Sequence, residues 1–516
     1  MRHYRTFRPR EATIGIEIEL KLAARARDLP LLARKLRAHA RSPADGARFV
    51  STYFDTPDHA LARRGMALRV RESGGRFVQT IKADGRGTAT PLARGEWEDA
   101  ITGPGPDPQA PETGRFLGPE TEGRLVALFR TEVARQTIAL ATAPETRIEA
   151  AIDRGRIHAS VDLSEPISEV ELELKSGRPA ALYDVAIDLL GVAPLRLERR
   201  SKAERGYRLA APEAAPLAAV HGGAIEFAPD MSGSDVLQYI GLACLDHVMR
   251  NEAAALAGLA EAIHQMRVGV RRLRALLTAF GKMLPADQRR WASEELRWLA
   301  DALGRARNLD VFESALIGPA QKALGDVAGL PALRAAAERR RKAAYIAAAK
   351  AIRSTHYTAS LLHILRWFET RGWKEGGGMQ PLDAPMTEIA ARILGRRRRV
   401  AKRRGKGFAE QPPAERHRLR IALKKLRYAA EMLGCLYEPE KVAGFTKRLK
   451  RLQDDLGDAN DVRVGRDILA QLTLNADAGA AGRVVLDWHE RRLARREPKL
   501  RRRLSALFAS EPFWPG

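Results

Sequence analysis

Cysteine and aromatic residues are scarce in this chain of 516 residues. Its two cysteines are Cys244 and Cys435, and aromatic side chains make up only 6% of the sequence. So few cysteines exclude a disulfide-rich framework, and their apolar helical surroundings predict that both are small core residues in a reducing compartment. The low aromatic content leaves few rings that could stack on nucleic-acid bases, which disfavours nucleic acid as a partner.

Long apolar runs are also missing. No stretch approaches the roughly 20 apolar residues that are needed to span a bilayer. The first ten residues lack the apolar segment of a secretory signal peptide. We therefore expect a cytoplasmic protein that has no membrane partner.

Acidic residues are too few to balance the basic ones. The chain has 88 Lys and Arg residues against 63 Asp and Glu, which gives a net charge of +25. The excess is uneven, because residues 1–210 contain 35 basic and 29 acidic residues, and the remainder contains 53 and 34. A strong positive charge favours polyanionic partners. The C-terminal part is therefore predicted to bind a polyanion.

Residues 12–209 mostly show the alternation that is typical of β-strands. The predicted strands span 14–22, 48–55, 66–72, 76–83, 93–99, 135–142, 146–153, 156–162 and 167–175. Hairpin turns are predicted at 73–75 and 153–155, and helices at 28–40, 121–130 and 180–190. Many short antiparallel strands with polar inward faces favour a closed barrel around a charged ligand.

The most informative strand pattern is Glu-Ile-Glu-Leu-Lys at residues 17–21. Alternation places Glu17, Glu19 and Lys21 on one face. A similar run follows at residues 169–175. Carboxylates on a buried strand face need cationic compensation, so the two runs predict a divalent metal, a polyanion with its counter-ions, or both.

After a linker at 210–226, residues 227–510 form a predicted all-helical domain with an internal repeat, about 235–350 and 385–500. When the sequence is shifted by 153 residues, positions 264–311 align with 417–464 without gaps, and identical residues recur within these 48 positions. The matches are His264, Arg267, Leu273, Arg274, Leu296, Leu299, Leu303, Gly304, Ala306 and Val311 with His417, Arg420, Leu426, Arg427, Leu449, Leu452, Leu456, Gly457, Ala459 and Val464. The repeat predicts two copies of one small helical bundle.

Each repeat contains a helix with one cationic face and one apolar face. The cationic faces consist of His264, Arg267, Arg271 and Arg274, and of His417, Arg420, Lys424 and Arg427. The first set falls within about 80° of arc on a helix. Simple solvation of these charges is the alternative, but solvated helices usually mix charges of both signs. An anion-binding surface is therefore favoured, and adjacent cations disfavour a metal role for the histidines.

These features resemble two known families. The motifs of the first half, in order, are Glu17-x-Glu19-x-Lys21, Tyr53-x-Asp55-Thr56, Leu68-Arg69-x-Arg71, Thr80-Ile81-Lys82, Arg94-x-Glu96-x-Glu98, Asp153-Arg154-Gly155, Glu169-x-Glu171-x-Glu173 and Ser201-Lys202-x-x-Arg205-Gly206-Tyr207. Residues 12–208 resemble the CYTH, or triphosphate tunnel metalloenzyme, superfamily. Residues from about 227 to 510 resemble the CHAD domain.

The CYTH resemblance implies an α+β arrangement in which an eight-stranded antiparallel tunnel precedes the helical CHAD domain. It implies that triphosphate is bound by Lys21, Arg69, Arg71, Lys82, Arg135, Lys202 and Arg205. It implies that Mg²⁺ or Mn²⁺ is bound by Glu17, Glu19, Glu169, Glu171 and Glu173. Catalysis then depends on Glu17, Glu19, Lys21, Arg69, Arg71 and Lys82.

The combined resemblance implies a metal-dependent inorganic triphosphatase with a second domain that binds inorganic polyphosphate. On the residues alone, a non-catalytic polyphosphate-binding adaptor stays open as an alternative. Thiamine triphosphatase and adenylate cyclase activities, which occur in the same superfamily, also stay open. The oligomeric state and the choice between the two metals do not follow from the sequence.

Overall fold

A computed structural model describes residues 16–40, 45–83, 93–118, 121, 123–211, 217–374 and 381–515. The chain divides into two compact units. The first contains Met1–Leu217 and Arg353–Thr370, and the second contains Ala218–Ile352 and Arg371–Gly516. A short segment from the middle of the helical half thus belongs to the first unit.

All strands that the structure describes lie in the first unit. They are β1 (Ile16–Ala23), β2 (Asp45–Asp55), β3 (Met66–Ser73), β4 (Arg76–Ala83), β5 (Ala93–Ile101), β6 (Val126–Ala143), β7 (Thr146–His158), β8 (Ser164–Ser176) and β9 (Arg196–Leu197). The pairings among β1 to β8 are antiparallel, and the order is β5-β4-β3-β2-β6-β7-β8-β1-β9. This confirms the predicted antiparallel sheet domain.

The helices are numbered along the chain. They are α1 (Leu29–Arg37), α2 (Ala60–Arg63), α3 (Ala180–Leu190), α4 (Lys202–Ala210), α5 (Gly233–Arg250), α6 (Glu252–Leu256), α7 (Ala260–Phe280), α8 (Ala286–Val311), α9 (Gly318–Leu324), α10 (Leu330–Ile352), α11 (Thr355–Glu369), α12 (Met386–Arg404), α13 (Pro413–Leu433), α14 (Pro439–Gln471) and α15 (Ala476–Ala509). Helices α1 to α4 and α11 belong to the first unit, and the others form the second.

Strand β1 connects the two ends of the strand order. Residues Glu19–Ala23 pair with β8, whereas Ile16–Ile18 pair with β5. Among the described residues, which begin at Ile16, the contact with β5 comprises three residue pairs, against eleven between β2 and β6. In the described residues, the sheet is therefore not closed as a complete barrel where β1 meets β5. This corrects the prediction of a closed eight-stranded barrel.

Of the two turns and three helices predicted in this unit, one turn and one helix are wrong; the other turn is confirmed, as are the helices at 28–40 and 180–190, which appear as α1 and α3. Residues 153–155 do not form a turn, because β7 continues through them. Here β7 approaches β6 so closely that a Cβ on Gly155 would lie 2.0 Å from the Glu132 carbonyl oxygen. Residues 126–130 belong to strand β6 rather than to a helix. The β3–β4 hairpin does turn at Gly74 and Gly75, where positive φ angles of 57° and 77° suit glycine.

The strands alternate between an apolar and a charged face. Leu22, Leu172 and Ile152, on β1, β8 and β7, are almost fully buried on the apolar face. Helix α1 contacts β6 and β7, and helix α3 contacts β1 and β8. Because burial of apolar area stabilises this packing, the hydrophobic core lies between the sheet and its helices. The charged side chains are thereby directed to the opposite face.

The internal repeat predicted for the helical half is visible in the structure. Shifting α7 by 153 residues reproduces the bounds of α13. The same shift takes α5, α8 and α10 onto α12, α14 and α15, of which α14 and α15 are longer than their counterparts. The predicted apolar faces are buried: Met266 and Val270 on α7, and Leu419 and Leu423 on α13, are each 0% exposed. Both repeats therefore bury the same helix face.

Equivalent residues of the two repeats also exchange hydrogen bonds. The Gly233 amide donates to the Ala384 carbonyl oxygen at 3.0 Å, and the Met386 amide donates to the Met231 carbonyl oxygen at 2.9 Å. A shift of 153 residues converts one bond into the other. This reciprocity is typical of an approximate two-fold axis between the repeats.

The two cysteines differ in their surroundings. Cys244 is buried in α5, as predicted, but Cys435 is exposed after α13, so its prediction as a core residue is wrong. Both are free thiols. Among the described residues, no helix combines the length and the apolar character that crossing a membrane requires.

Candidate active site

The charged face of the sheet surrounds a cavity of about 560 Å³ in the first unit. The charged side chains that line it are Lys21, Arg69, Arg71, Lys82, Glu96, Glu98, Arg135, Glu149, Asp153, Glu171, Glu173, Lys175, Lys202 and Glu204. Strand alternation brings most of them together, since residues two apart point to the same side, whereas Lys202 and Glu204 come from helix α4. A cavity with this lining suits a small, highly charged anion.

Three carboxylates form a buried cluster at one side of this cavity. Asp153 on β7 and Glu169 and Glu171 on β8 are 0%, 1% and 9% exposed. The Lys202 ammonium nitrogen lies 2.7, 2.5 and 2.9 Å from one oxygen of each, in that order. Burial opposes the charge on Lys202, but attraction by the carboxylates outweighs it and raises the Lys202 pKa well above its usual range.

Glu171 connects this cluster with two further cations. Its Oε2 accepts a hydrogen bond from Arg135 Nη2 at 2.5 Å, and its Oε1 lies 3.3 Å from Lys21 Nζ. Arg135 also donates to both oxygens of Asp153, at 2.7 and 2.6 Å. Burial opposes ionisation of Glu171, yet Lys202, Lys21 and Arg135 together hold its pKa well below the ordinary value.

A second group of cations lies on β3 and β4. Arg69 Nη2 is 3.3 Å from Glu96 Oε1 and 3.6 Å from Glu98 Oε1, and Lys82 Nζ is 3.1 Å from Glu96 Oε2. The Arg71 guanidinium lies 5.0 Å from the centre of the Phe49 ring. Repulsion by Arg69, with burial, lowers the Arg71 pKa to about 10. An anion between these groups would relieve that repulsion.

Helix α4 positions Lys202 in the cavity. It begins with a capping box, in which Ser201 accepts from the Glu204 amide at 3.0 Å and the Glu204 side chain accepts from the Ser201 amide. Farther along, Arg205 donates to Glu169 at 3.0 Å. A Cβ on Gly206 would lie 2.0 Å from the Phe129 ring, so only glycine allows this close approach.

The second unit contains a separate cationic cluster on α7 and α13. It contains Arg267, Arg271, Arg420 and Lys424. Burial, together with repulsion from the neighbouring arginines, lowers the pKa of Lys424 to about 7. Arg267 donates to the Ala300 carbonyl oxygen at 2.7 Å. The cluster is therefore partly buried and strongly positive, which are properties of a binding site for anions.

The comparisons with known proteins divide the chain at the same place as the charge distribution. The CYTH domain family matches residues 15–207, and the CHAD domain family matches residues 240–470. The chain joins a CYTH domain to a CHAD domain. The charged cavity lies in the CYTH domain, and the cationic cluster on α7 and α13 lies in the CHAD domain.

Individual relatives agree with this division. An inorganic triphosphatase of Haemophilus influenzae is 31% identical over 198 residues, which are 37% of this chain and 54% of that protein, so the match spans about half the length of this relative. An uncharacterized protein of Mycobacterium tuberculosis is 25% identical over 83% of this chain and 82% of its own. The crystal structure of a CHAD domain from Ricinus communis covers 57% of this chain and 98% of its own, with 28% identity and a TM-score of 0.50.

The structure brings most of the predicted CYTH residues together. Six of the seven predicted phosphate ligands line the cavity, namely Lys21, Arg69, Arg71, Lys82, Arg135 and Lys202. Arg205 instead lies behind Glu169, with its side chain 7% exposed. Among the predicted metal ligands, Glu171 and Glu173 line the cavity, Glu19 and Glu169 are buried, and the side chain of Glu17 lies outside the described residues.

Two carboxylates of β7 line the CYTH cavity and were not predicted as site residues. Asp153 faces Glu169 across the β7–β8 pairing, and Glu149 faces Glu173. Both lie on the same strand, four residues apart, so they share one face. The predicted turn at 153–155 concealed this periodicity, and a continuous β7 would have revealed it.

The buried carboxylates have the chemistry of a divalent-metal site. Asp153, Glu169 and Glu171 each offer one ligand oxygen, and these oxygens lie within 4.8 Å of one another. Oxygen ligands of this kind suit hard cations such as Mg²⁺ or Mn²⁺. The same three carboxylates already stabilise the positive charge of Lys202, so the donor set fits a cation.

The predicted cationic faces of the CHAD domain lie on neighbouring helices, α7 and α13, which contact each other. His264 and His417 are half-buried, and burial with repulsion from nearby arginines lowers the pKa of each below 6.5. Two further cations act on these faces, Arg307 from α8 and Arg463 from α14. The charge pattern of a single helix does not reveal either residue, because both lie on other helices.

The basic run at residues 396–399 has a structural role in part. Arg396 donates to the Ala279 carbonyl oxygen at 2.6 Å, and Arg397 donates to the carbonyl oxygen of Thr278. Arg398 donates to the Ser510 carbonyl oxygen at 2.7 Å. These acceptors are terminal carbonyl groups near the ends of α7 and α15, which lack partners within their own helices. Such arginines stabilise helix ends and are less available to a ligand.

Proposed function

We propose that the CYTH domain hydrolyses inorganic triphosphate to pyrophosphate and phosphate in a metal-dependent reaction. The observation that carries the proposal is the cavity in which lysines and arginines surround buried carboxylates. Its volume of about 560 Å³ is that of a small-ligand site. The 31% identity of the CYTH half to an inorganic triphosphatase supports this choice among triphosphate activities.

In this proposal, the cations of the cavity bind the triphosphate. Lys21, Arg135 and Lys202 contact phosphate oxygens from the β1, β6 and α4 side. Arg69 and Arg71, with Lys82, contact them from the β3 and β4 side and stabilise the charge on the transferred phosphoryl group. Arg205 acts as a positioning residue, because its guanidinium holds Glu169 rather than facing the cavity.

The proposed metal ligands are Glu17, Glu19, Glu169, Glu171 and Glu173, which the resemblance implies, together with Asp153 from the buried cluster. When bound, Mg²⁺ or Mn²⁺ supplies neutralisation of phosphate charge and a lowered pKa for the attacking water. The oxygen of that water forms a bond to the terminal phosphorus as the bridging P–O bond breaks and pyrophosphate leaves. The proton of the water passes to solvent or to a carboxylate of the cavity.

The decisive experiment measures phosphate release by the full chain with Mg²⁺ or Mn²⁺. Tripolyphosphate, ATP and thiamine triphosphate are compared at equal concentration, and we expect tripolyphosphate to be hydrolysed fastest. Faster release from ATP or thiamine triphosphate would assign the cavity to that substrate. Tight binding of tripolyphosphate without turnover would instead identify a non-catalytic adaptor.

We further propose that the CHAD domain binds inorganic polyphosphate through the cluster on α7 and α13. The cluster consists of His264, Arg267, Arg271, Arg274, His417, Arg420, Lys424 and Arg427. Burial and mutual repulsion lower the pKa values of Arg267, Arg271, Arg420 and Lys424. Crowding of like charges is unfavourable in the free protein, and a bound polyanion removes this cost.

Removing charge from the cluster should weaken polyphosphate binding. We expect the double variant Arg420→Ala, Lys424→Ala to bind long-chain polyphosphate about tenfold or more weakly, since hydrogen bonds to charged groups contribute about 1.5–3 kcal/mol each. Isothermal titration calorimetry at several salt concentrations should also show a smaller salt dependence. The control Lys447→Ala, Lys450→Ala removes equal charge from an exposed part of α14. Equal weakening in both variants would contradict the assignment.

Polyphosphate binding should also weaken as the pH rises from 6 to 9. Burial, with repulsion from Arg271, Arg420, Arg267 and Arg427, lowers the Lys424 pKa to about 7. Below this pH Lys424 is charged and attracts the polyanion, and above it the free protein loses that charge. Because the polyanion favours the charged form, binding near neutral pH is accompanied by proton uptake, which calorimetry in buffers of different ionisation enthalpy measures.

The variant Lys424→Arg is the control for this pH dependence. Arginine keeps its charge throughout this range, so its affinity should change little between pH 7 and 9. The lowered pKa values of His264 and His417 place their titration below this interval. If the affinity of Lys424→Arg falls with rising pH as steeply as that of the unaltered protein, Lys424 is not the titrating group.

A further inference from the structure

One hydroxyl group in the CHAD domain is buried beside the cationic cluster without a hydrogen-bond partner. Tyr428 on α13 is 4% exposed, and its hydroxyl oxygen has no partner among the described residues. Two guanidinium groups lie over its ring, with Arg271 5.5 Å and Arg427 5.0 Å from the ring centre. The first repeat has Ala275 at the equivalent position, so this arrangement does not recur there.

The chemistry around this hydroxyl selects an anion. The two guanidinium groups over the ring come from different repeats, Arg271 from the first and Arg427 from the second. Guanidinium groups only donate hydrogen bonds, so they leave the hydroxyl hydrogen without an acceptor. The Nε groups of Arg271 and Arg427 are also buried without partners among the described residues. Donors from both repeats therefore lie around the Tyr428 ring without acceptors among the described residues.

A carboxylate beside these donors leaves them unsatisfied. Glu431 Oε1 lies 3.4 Å from Arg427 Nη1, one turn along α13, and it also interacts with Arg271. It accepts no hydrogen bond from the Tyr428 hydroxyl. An oxygen-rich anion with several acceptors, such as a phosphoryl group, is complementary to this set.

We propose that Tyr428 is a phosphate-binding residue, whose hydroxyl donates to a phosphoryl oxygen of a polyphosphate chain bound by Arg271 and Arg427. The inference rests on the proposed polyphosphate binding by the CHAD domain. It explains why an unsatisfied hydroxyl is retained at a buried position, since such a group is unfavourable until a ligand provides its acceptor. It also makes the second repeat contribute a contact that the first does not.

The test compares Tyr428→Phe with Tyr437→Phe in the full chain. The phenylalanine ring at position 428 keeps both cation–π contacts, so only the hydroxyl is lost. Tyr437 is a matched control, because its hydroxyl is also buried without a described partner but its ring packs on Phe513, at 5.2 Å between ring centres. We expect Tyr428→Phe to bind long-chain polyphosphate about tenfold more weakly by calorimetry. Tyr437→Phe should bind like the unaltered protein.

A second measurement separates a binding role from a structural one. Without polyphosphate, the melting temperature of Tyr428→Phe should equal or exceed that of the unaltered protein, because an unsatisfied buried hydroxyl is removed. Unchanged affinity in Tyr428→Phe, with normal binding by the unaltered protein, would overturn this inference alone. A lower melting temperature with unchanged affinity would assign a structural role. Absence of polyphosphate binding by the unaltered protein would overturn both this inference and the proposed function of the domain.

Discussion

Glu171→Gln should lower the rate of tripolyphosphate hydrolysis by about 100-fold or more, the loss that is typical when one electrostatic contact at a reacting group is removed. Glu171 holds Lys202, Lys21 and Arg135 in place at 2.9, 3.3 and 2.5 Å. Glutamine keeps the shape but loses the charge that orients these three cations. It also removes one of the proposed metal ligands.

The measurement is phosphate release under saturating Mg²⁺ or Mn²⁺, together with binding of Mn²⁺ in the absence of substrate. The matched control is Glu132→Gln on β6, whose side chain is 47% exposed and pairs with Arg130 at 2.8 Å. It should keep nearly full activity, because ion pairs at exposed positions contribute little. If Glu171→Gln keeps its rate within about threefold, Glu171 has no place in the catalytic site.

Lys202→Met should destabilise the CYTH domain strongly in the absence of metal. Removal of one partner from a buried ion pair typically costs about 3–5 kcal/mol. Lys202 compensates three carboxylates, of which Asp153 and Glu169 are almost fully buried. Methionine has similar length but no charge, so the carboxylates would repel one another. We expect faster amide hydrogen exchange in β7 and β8, measured by mass spectrometry on the full chain.

The control for this prediction is Lys82→Met in the same cavity. The Lys82 side chain is 24% exposed and pairs with Glu96, whose side chain is 19% exposed, so its removal leaves no fully buried charge. It should change the exchange of β7 and β8 little. Equal protection in Lys202→Met and the unaltered protein would show that the carboxylates take up protons or ions instead of relying on Lys202.

Much of the CYTH site could be predicted because strand alternation is a local property. Residues 17–21 and 169–175 show their charged face directly in the sequence, and β1 and β8 do pair there, with Lys21 opposite Glu171. The contribution of Asp153 was not predictable in the same way. Asp-Arg-Gly is typical of a turn, but pairing with β6 and β8 on both sides keeps it in a strand.

The CHAD repeat shows the same contrast between local and long-range information. Period and charge defined the faces of α7 and α13 correctly, because the 3.6-residue period of a helix relates residues that are near in sequence. The role of the run at 396–399 depended on where helices α7 and α15 end, because its arginines bind carbonyl oxygens of Thr278, Ala279 and Ser510 near those ends. That information comes from packing between elements far apart in the chain.

By itself, the sequence determined the division into a strand-rich and a helical half, the internal repeat of 153 residues, and most of the charged residues of both sites. These properties follow from alternation, helical period and composition, which act over a few residues. Only the tertiary structure decided that Lys202 reaches the carboxylate cluster and that Arg205 lies behind it. Tertiary structure alone also placed the Tyr428 ring beside guanidinium groups of both repeats. Distances between groups on different elements depend on packing, and packing is a property of the whole fold.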